Sequence, residues 1–140
     1  MSDPYNLQRF VDAQAPVYAD ARLELGRGQK TGHWMWFIFP QLKGLGRSDM
    51  AMRFAISSKA EAAEYLRHSL LEPRLIECTQ LVNQVEGRSI EHIFGYPDDL
   101  KFHSSMTLFF RTDPTNPAFK SALEKYFAGE LDSVTEQLLR

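Results

Sequence analysis

The segment Gly32-His33-Trp34-Met35-Trp36-Phe37-Ile38-Phe39-Pro40-Gln41 decides how this chain folds. It contains both tryptophans of the chain and two of its ten phenylalanines, between a histidine and a glutamine. Aromatic side chains bury large surfaces, and an indole N–H needs a hydrogen-bond partner once it is buried. The segment is therefore either the centre of the core or one wall of a ligand cavity, and the sequence leaves both interpretations open.

Length and charge indicate one globular domain, residues 1–140. A chain of 140 residues is expected to bury roughly two-thirds of the surface that it exposes when unfolded. Sixteen Lys and Arg against eighteen Asp and Glu give a net charge of -2, and no basic block is present. Bulk binding to nucleic acid is not expected, because counterion release requires a concentrated basic surface.

Other features predict a cytoplasmic protein without a metal or cofactor. The single cysteine, Cys78, excludes an internal disulfide and a zinc site built from cysteines. The N-terminus has no basic stretch followed by an apolar one, as a secretory signal would. The longest unbroken apolar run, residues 34–39, is far shorter than the roughly 20 residues that cross a membrane. The four histidines have no metal-ligand spacing among themselves.

Helix-start signals divide the chain into segments. Asp3-Pro4 and Asn116-Pro117 each place a capping residue before a proline suited to the first helical position. Ser58 with Glu61, and Ser133 with Glu136, have the spacing of a capping box. Pro16 indicates a break between two short helices near the N-terminus.

Apolar residues recur at helical spacing between these signals. The clearest stripe is Leu71, Leu75, Cys78, Val82 and Val85, at steps of four and three residues. No stretch of four or more residues alternates between apolar and polar. The sequence therefore predicts an all-α, compact globule of seven or eight helices around residues 33–39. The residues expected in contact range of its core are Trp34, Trp36, Phe37, Phe39, Leu75, Val82, Met106 and Phe110.

Several strings of the chain resemble the family catalogued as domain of unknown function 1810. They are Phe10-Val-x-Ala-Gln14, Gly28-x-Lys-x-x-His33-Trp-Met-Trp-Phe-Ile-Phe-Pro-Gln-Leu42-x-Gly-Leu-Gly46, Arg74-Leu-x-Glu-Cys-Thr79, Ile93-Phe-Gly95-x-Pro-Asp98, Leu100-Lys101 and Ser104-Ser-Met-Thr-Leu-Phe109. The resemblance runs nearly from end to end. It implies a compact, mostly helical bacterial protein of one domain, and it implies no activity.

A shorter similarity links the chain to the NADAR family of NAD- and ADP-ribose-related N-glycosidases. Ala13-Gln14 and the string Arg74-Leu75-Ile76-Glu77 resemble strings of that family. The family carries a glutamate thought to be catalytic in its early helix, and this chain has Gln8 at the matching position. The resemblance implies an N-glycosidase as one alternative function.

We predict that one pocket collects the polar residues of the strings that resemble the first family. Amide side chains can read a planar edge, histidine changes its charge near neutral pH, and lysine with hydroxyls suits a phosphate or carboxylate. The predicted ligand-binding residues are Gln14, Lys30, His33, Trp36, Gln41, Lys101, Ser104 and Ser105. The structural alternatives are amides that bridge the core, a histidine bonded to backbone carbonyls, and a solvated helix face.

The expected ligand is a small nucleotide-like or other anionic molecule, bound without turnover. A base would stack on Trp36 or Trp34, and its phosphate would meet Lys101, Ser104 and Ser105. The rival hypothesis is a protein–protein interaction module without chemistry, in which an exposed tryptophan docks a partner chain.

No catalytic residue can be assigned from the sequence. Glu77 is the only carboxylate that we would test as an acid or base. Its alternative is a surface glutamate paired with Arg74 one turn earlier.

Overall fold

The computed structural model describes residues 2–140, and over this range the chain forms ten helices and no β-strand. The predicted all-α fold is confirmed. The count exceeds seven or eight because α3, α4 and α7 are single short turns of helix. The helices are α1 Gln8–Gln14, α2 Tyr18–Gly26, α3 Met35–Ile38, α4 Asp49–Arg53, α5 Lys59–Arg67, α6 Leu71–Gln84, α7 Ile90–Phe94, α8 Asp98–Thr112, α9 Pro117–Phe127 and α10 Ser133–Leu138.

Helix α8 lies at the centre of the molecule and packs against α5, α7, α9 and α10. From Phe102 to Phe109, every side chain except that of His103 is buried or nearly so. Helix α6 packs against α2, α5 and α9, with the predicted stripe facing inward. Ser104 and Ser105 of α8 are both buried, so they do not lie on a solvated helix face, which was the alternative to a binding role.

The aromatic segment enters the core at α3. Trp34 and Phe39 are buried on either side of this short helix. The Phe39 ring meets the edges of Phe94 and Phe102 at centroid distances of 5.8 and 5.0 Å, a geometry favoured by aromatic quadrupoles. Of the core residues named from the sequence, Trp36 and Phe110 are partly buried and packed against the core, and the others are buried.

Backbone hydrogen bonds tie the end of the aromatic segment to the start of α5. The Lys43 N–H donates to the Ile56 carbonyl at 2.8 Å, and the Ile56 N–H donates to the Gln41 carbonyl at 2.9 Å. This isolated parallel bridge between Leu42 and Ile56 encloses α4. It fixes Gln41 beside the core although the residue belongs to a loop.

Most of the helix starts follow from capping chemistry. Side-chain oxygens accept N–H groups from the first turns of α4, α5, α7 and α9, and the capping residues are Ser48, Ser58, Ser89 and Asn116. Asp3 accepts the N–H groups of Leu7 and Gln8, so α1 begins at Gln8 and not at Pro4. Pro16 separates α1 from α2, as predicted.

The predicted capping box at Ser133 is wrong by one residue. Asp132 is the N-cap of α10, and its Oδ2 accepts from the Thr135 N–H at 3.0 Å and the Thr135 hydroxyl at 2.6 Å. The same oxygen accepts from Ser104 of α8 at 3.3 Å. A carboxylate can cap α10 and accept a hydrogen bond from α8 at the same time. This explains why Asp132, and not the exposed Ser133, is the N-cap of α10. Glu136 binds Arg111 instead.

The two candidate caps give a matched pair of variants. Asp132→Ala removes the cap of α10 and its link to α8, and it should lower the free energy of unfolding by about 1–2 kcal/mol. Ser133→Ala should change it by less than about 0.5 kcal/mol, because that side chain is exposed. Urea denaturation measures both values. Equal losses in the two variants would contradict the assignment of the cap.

Candidate functional site

A buried carboxylate holds the loop that precedes α3. Glu24, on α2, is only 7% exposed, and its Oε1 accepts three hydrogen bonds. The donors are the N–H of Thr31 at 2.7 Å, the N–H of Gly32 at 2.8 Å and the indole N–H of Trp34 at 3.0 Å. Because a buried indole N–H needs a partner, this acceptor allows Trp34 to enter the core.

Two opposing effects set the pKa of Glu24. Burial raises the pKa of this carboxyl, while the N–H groups of Gly32 and Thr31 and the indole of Trp34 lower it. The hydrogen bonds prevail, and the pKa lies below its usual value of 4.5. Glu24 is therefore ionised at neutral pH and serves as a fixed acceptor.

Lys30 connects this loop to the start of α8. Its side chain is only 8% exposed, and its Nζ lies 2.8 Å from Asp98 Oδ2. The ammonium also donates to the Gly32 carbonyl at 2.6 Å and lies 5.1 Å from the centroid of the Trp34 ring. The backbone N–H of Lys30 donates to the Ile93 carbonyl at 2.7 Å. Asp98 is thus the counter-ion of a largely buried lysine.

Lys101 pairs with the other carboxylate oxygen of Asp98. Its Nζ is 3.5 Å from Asp98 Oδ1 and 5.5 Å from the centroid of the Trp36 ring. One small hollow of about 10 Å³ lies between α3, α4 and α8 and is lined by Trp36, Gln41 and Lys101; we call it the Trp36 hollow. Its remaining lining is apolar and consists of Met35, Phe39, Ala51 and Phe54. The structure thus brings three of the predicted site residues together, and Lys30 joins them through Asp98.

Gln14 and His33 lie outside the lining of the Trp36 hollow. Gln14 is buried, its Nε2 donates to the Phe37 carbonyl at 2.7 Å, and its Oε1 accepts from Arg74 at 3.2 Å. This is the core-bridging arrangement given above as the alternative for the glutamines. His33 is exposed in the loop between Gly32 and Trp34.

The two serines of α8 have different environments. The Ser104 hydroxyl donates to the Leu100 carbonyl at 3.1 Å and to Asp132, on the side of α10. Thr107 and Thr112 likewise donate to the carbonyl four residues earlier. The Ser105 hydroxyl, in contrast, is buried and has no hydrogen-bond partner in the part of the chain described. Ser104 and Lys101 therefore do not line a common site in this structure.

Glu77 lies half exposed in a different cluster. It accepts a hydrogen bond from the Tyr18 hydroxyl and pairs with Arg22 at 3.3 Å. The expected ion pair with Arg74 is replaced, since the Arg74 guanidinium lies over the Tyr18 ring at 4.8 Å. Burial and the contact with Glu77 raise the pKa of Tyr18, and burial raises the pKa of the Cys78 thiol to about 12. The thiol is therefore protonated at neutral pH.

Sequence reasoning did not single out Glu24 or Asp98 as functional residues. Glu24 follows Ala21 by three residues, which places it beside the apolar stripe of α2. Asp98 precedes Lys101 by three residues, the spacing of a helical ion pair. Both spacings were visible in the sequence as weak signals.

Two features are absent from residues 2–140. Within this range, no group of three or more His, Cys, Asp or Glu side chains is placed to hold a metal ion. No helix in the described part of the chain combines the length and apolarity needed to cross a membrane.

Comparison with known proteins relates the chain to one family and one solved structure. The profile of the family described as "Protein of unknown function (DUF1810)" matches residues 4–139. The crystal structure of the conserved hypothetical protein Rv1873 from Mycobacterium tuberculosis matches with 60% sequence identity, 98% coverage of both chains and a TM-score of 0.96. No curated protein matches the chain significantly. The similarity to N-glycosidases gains no support from these comparisons.

Gly32 is required by the close approach of Trp34 and Glu24. A Cβ at this position would lie 2.9 Å from Trp34 Cδ1 and 3.2 Å from Glu24 Oε2. Gly32→Ala should therefore lower the free energy of unfolding by about 1–3 kcal/mol. Gly26→Ala is the matched control, because a Cβ there meets no atom within 4 Å, and it should be neutral or stabilising by up to about 1 kcal/mol. Thermal unfolding of both variants distinguishes steric crowding from a general effect of replacing glycine.

The lowered pKa of Glu24 makes its contribution to stability depend on pH. A carboxyl whose pKa is lower in the folded state stabilises the fold above its unfolded pKa, and this stabilisation is lost as pH falls. Glu24→Gln should cost about 1–3 kcal/mol at pH 7, and its deficit relative to the wild type should shrink below about pH 4.5. Urea denaturation between pH 3 and 7 measures the difference. A deficit that stays constant with pH would show that Glu24 is not the titrating group.

Proposed function

The chain belongs to the DUF1810 family, and we propose that it binds a small anionic, nucleotide-like molecule at the Trp36 hollow without turning it over. One observation carries this proposal. A lysine ammonium lies over a partly exposed tryptophan ring, with an amide side chain lining the same hollow. An aromatic face, a cation and a planar hydrogen-bonding group are what a ring-bearing anion requires.

The two tryptophans divide the structural and binding roles. Trp34 is 1% exposed, and its N–H is already bonded to Glu24. Trp36 is partly exposed and lines the hollow. A planar ligand would therefore stack on Trp36 and not on Trp34.

Lys30 and Lys101 both pair with Asp98, and they differ in their distance from the carboxylate and in their exposure. Lys30 is 2.8 Å from the carboxylate and 8% exposed, whereas Lys101 is 3.5 Å away and 24% exposed. The Lys101 pair is the longer one and joins residues three apart on one helix; such pairs contribute only about 0.2–0.5 kcal/mol, so releasing Lys101 from Asp98 costs little. Lys101 is thus the cation that can turn towards an anionic ligand, while Lys30 keeps Asp98 in place.

The volume of the hollow requires Lys101 to move when a ligand binds. Pockets for small molecules usually enclose about 300–1,000 Å³. The Trp36 hollow, at about 10 Å³, falls far below this range. A ring would therefore replace the ammonium above Trp36, and the displaced ammonium would meet the anionic group.

The nearby carboxylates favour binding over catalysis. Glu24 accepts three hydrogen bonds and has a lowered pKa, and Asp98 is paired with two lysines. A general base needs a pKa near the working pH and a free lone pair. Neither carboxylate meets both conditions in this arrangement.

A thermal-shift screen against nucleotides, NAD, ADP-ribose and phosphosugars tests the proposal. A ligand at a hundred times its Kd adds about 2.7 kcal/mol to stability, a rise in Tm of roughly 10 °C for a chain of this size. Lys101→Ala should weaken binding of each hit at least tenfold, since it removes a charged contact. Lys120→Ala is the matched control, because Lys120 is exposed on α9.

Two results would overturn the proposal. One is a screen in which no compound raises the Tm. The other is undiminished affinity for the hits in Lys101→Ala. Incubation of each hit with the protein, followed by chromatography, tests turnover separately. Release of a free base would favour the N-glycosidase alternative over binding alone.

A further inference from the structure

A second charged feature lies between the start of α5 and the C-terminal helix α10. Two adjoining hollows of about 300 and 270 Å³ share Lys59 and Leu139 in their linings. Arg111 and Arg140 line the first hollow, and Lys43 lines the second. We call the two hollows together the basic cleft.

The basic cleft concentrates positive charge in a chain of net negative charge. The whole chain has sixteen Lys and Arg and eighteen Asp and Glu. Four of these basic residues line the cleft, against one acidic residue, Glu136. A cleft lined by one sign of charge focuses its field and attracts ions of the opposite sign.

Most of the positive charge in the basic cleft has no counter-ion. Glu136 accepts from the Arg111 guanidinium, with Nε at 2.8 Å from Oε2, and this pair satisfies both residues. Lys43, Lys59 and Arg140 form no ion pair with any residue from 2 to 140. These three cations are therefore available to an anion from outside the chain.

An apolar surface accompanies the cations. Leu138 is 47% exposed and lines the second hollow beside Lys59. Leu139 lines both hollows. A ligand that carried only charge would leave these side chains in water, whereas one with a short hydrocarbon part would cover them.

We infer that the basic cleft binds a phosphate monoester with a short apolar group. The phosphate lies at Lys59, where the two hollows meet, between Lys43 on one side and Arg140 on the other. The apolar group lies against Leu138. A dianionic phosphate matches several cations better than a single carboxylate does. This site is independent of the Trp36 hollow and shares no lining residue with it.

The test uses the full chain labelled with ¹⁵N and two probes, n-butyl phosphate and inorganic phosphate. Titration with n-butyl phosphate should shift amide signals at the start of α5 and in α10. Lys59→Ala should raise its Kd about fivefold to tenfold, because a charge-assisted contact is lost. Lys120→Ala should leave the Kd unchanged, because Lys120 is exposed on α9 and lines neither hollow.

Comparing the affinities of the two probes tests whether the cleft binds the hydrocarbon group. Butyl phosphate should bind several times more tightly than inorganic phosphate, and Leu138→Ser should remove that difference. Leu138 is half exposed, so the variant is expected to fold, and its amide spectrum verifies this. Absence of shifts in the cleft, a Kd unaffected by Lys59→Ala, or equal affinity for the two probes in the wild type would overturn the inference.

Discussion

The fold depends on one carboxylate that accepts three N–H groups beneath the aromatic segment. A buried charge without partners would destabilise the protein strongly, because it loses its hydration. Thr31, Gly32 and Trp34 supply these partners to Glu24, and the Lys30 ammonium lies over the Trp34 ring. The arrangement places Trp34 in the core at the point where α3 begins. The packing of Phe39 against α7 and α8 then follows from the direction in which the chain leaves this loop.

The same short segment connects the core to the candidate site. Trp34 and Trp36 are two residues apart, and a helical turn directs neighbouring side chains to different sides. Trp34 is buried, and Trp36 lines the hollow under Lys101. The core interpretation is therefore confirmed for Trp34, and the ligand-cavity interpretation stays a prediction for Trp36.

Local chemistry explains which parts of the fold could be predicted. The stripe on α6 and the caps at Ser58 and Asn116 depend on residues close in sequence, and the structure confirms them. The cap of α10 depends on Ser104, which is 28 residues away from Asp132, so spacing alone selected Ser133.

The candidate site was less predictable because burial of charge depends on tertiary contacts. A glutamate on a helix is usually exposed, and only the loop folded over α2 makes Glu24 an acceptor. Lys101 and Ser104 share a helix face by spacing, but α10 binds Ser104 while α3 lies under Lys101. Spacing identifies neighbours on one helix, and it does not show which second helix covers each of them.

The central position of α8 determines how its amide hydrogens exchange with solvent. Four helices cover it, and its hydroxyls at Ser104, Thr107 and Thr112 donate back to its own carbonyls. Such amides reach water only when the whole domain opens, so α8 belongs to the slowest-exchanging part of the protein. The wall that α8 gives to the Trp36 hollow is consequently rigid. The proposed binding at this wall requires rotation of the Lys101 side chain, on the picosecond-to-nanosecond scale of side-chain rotamers, and not helix movement.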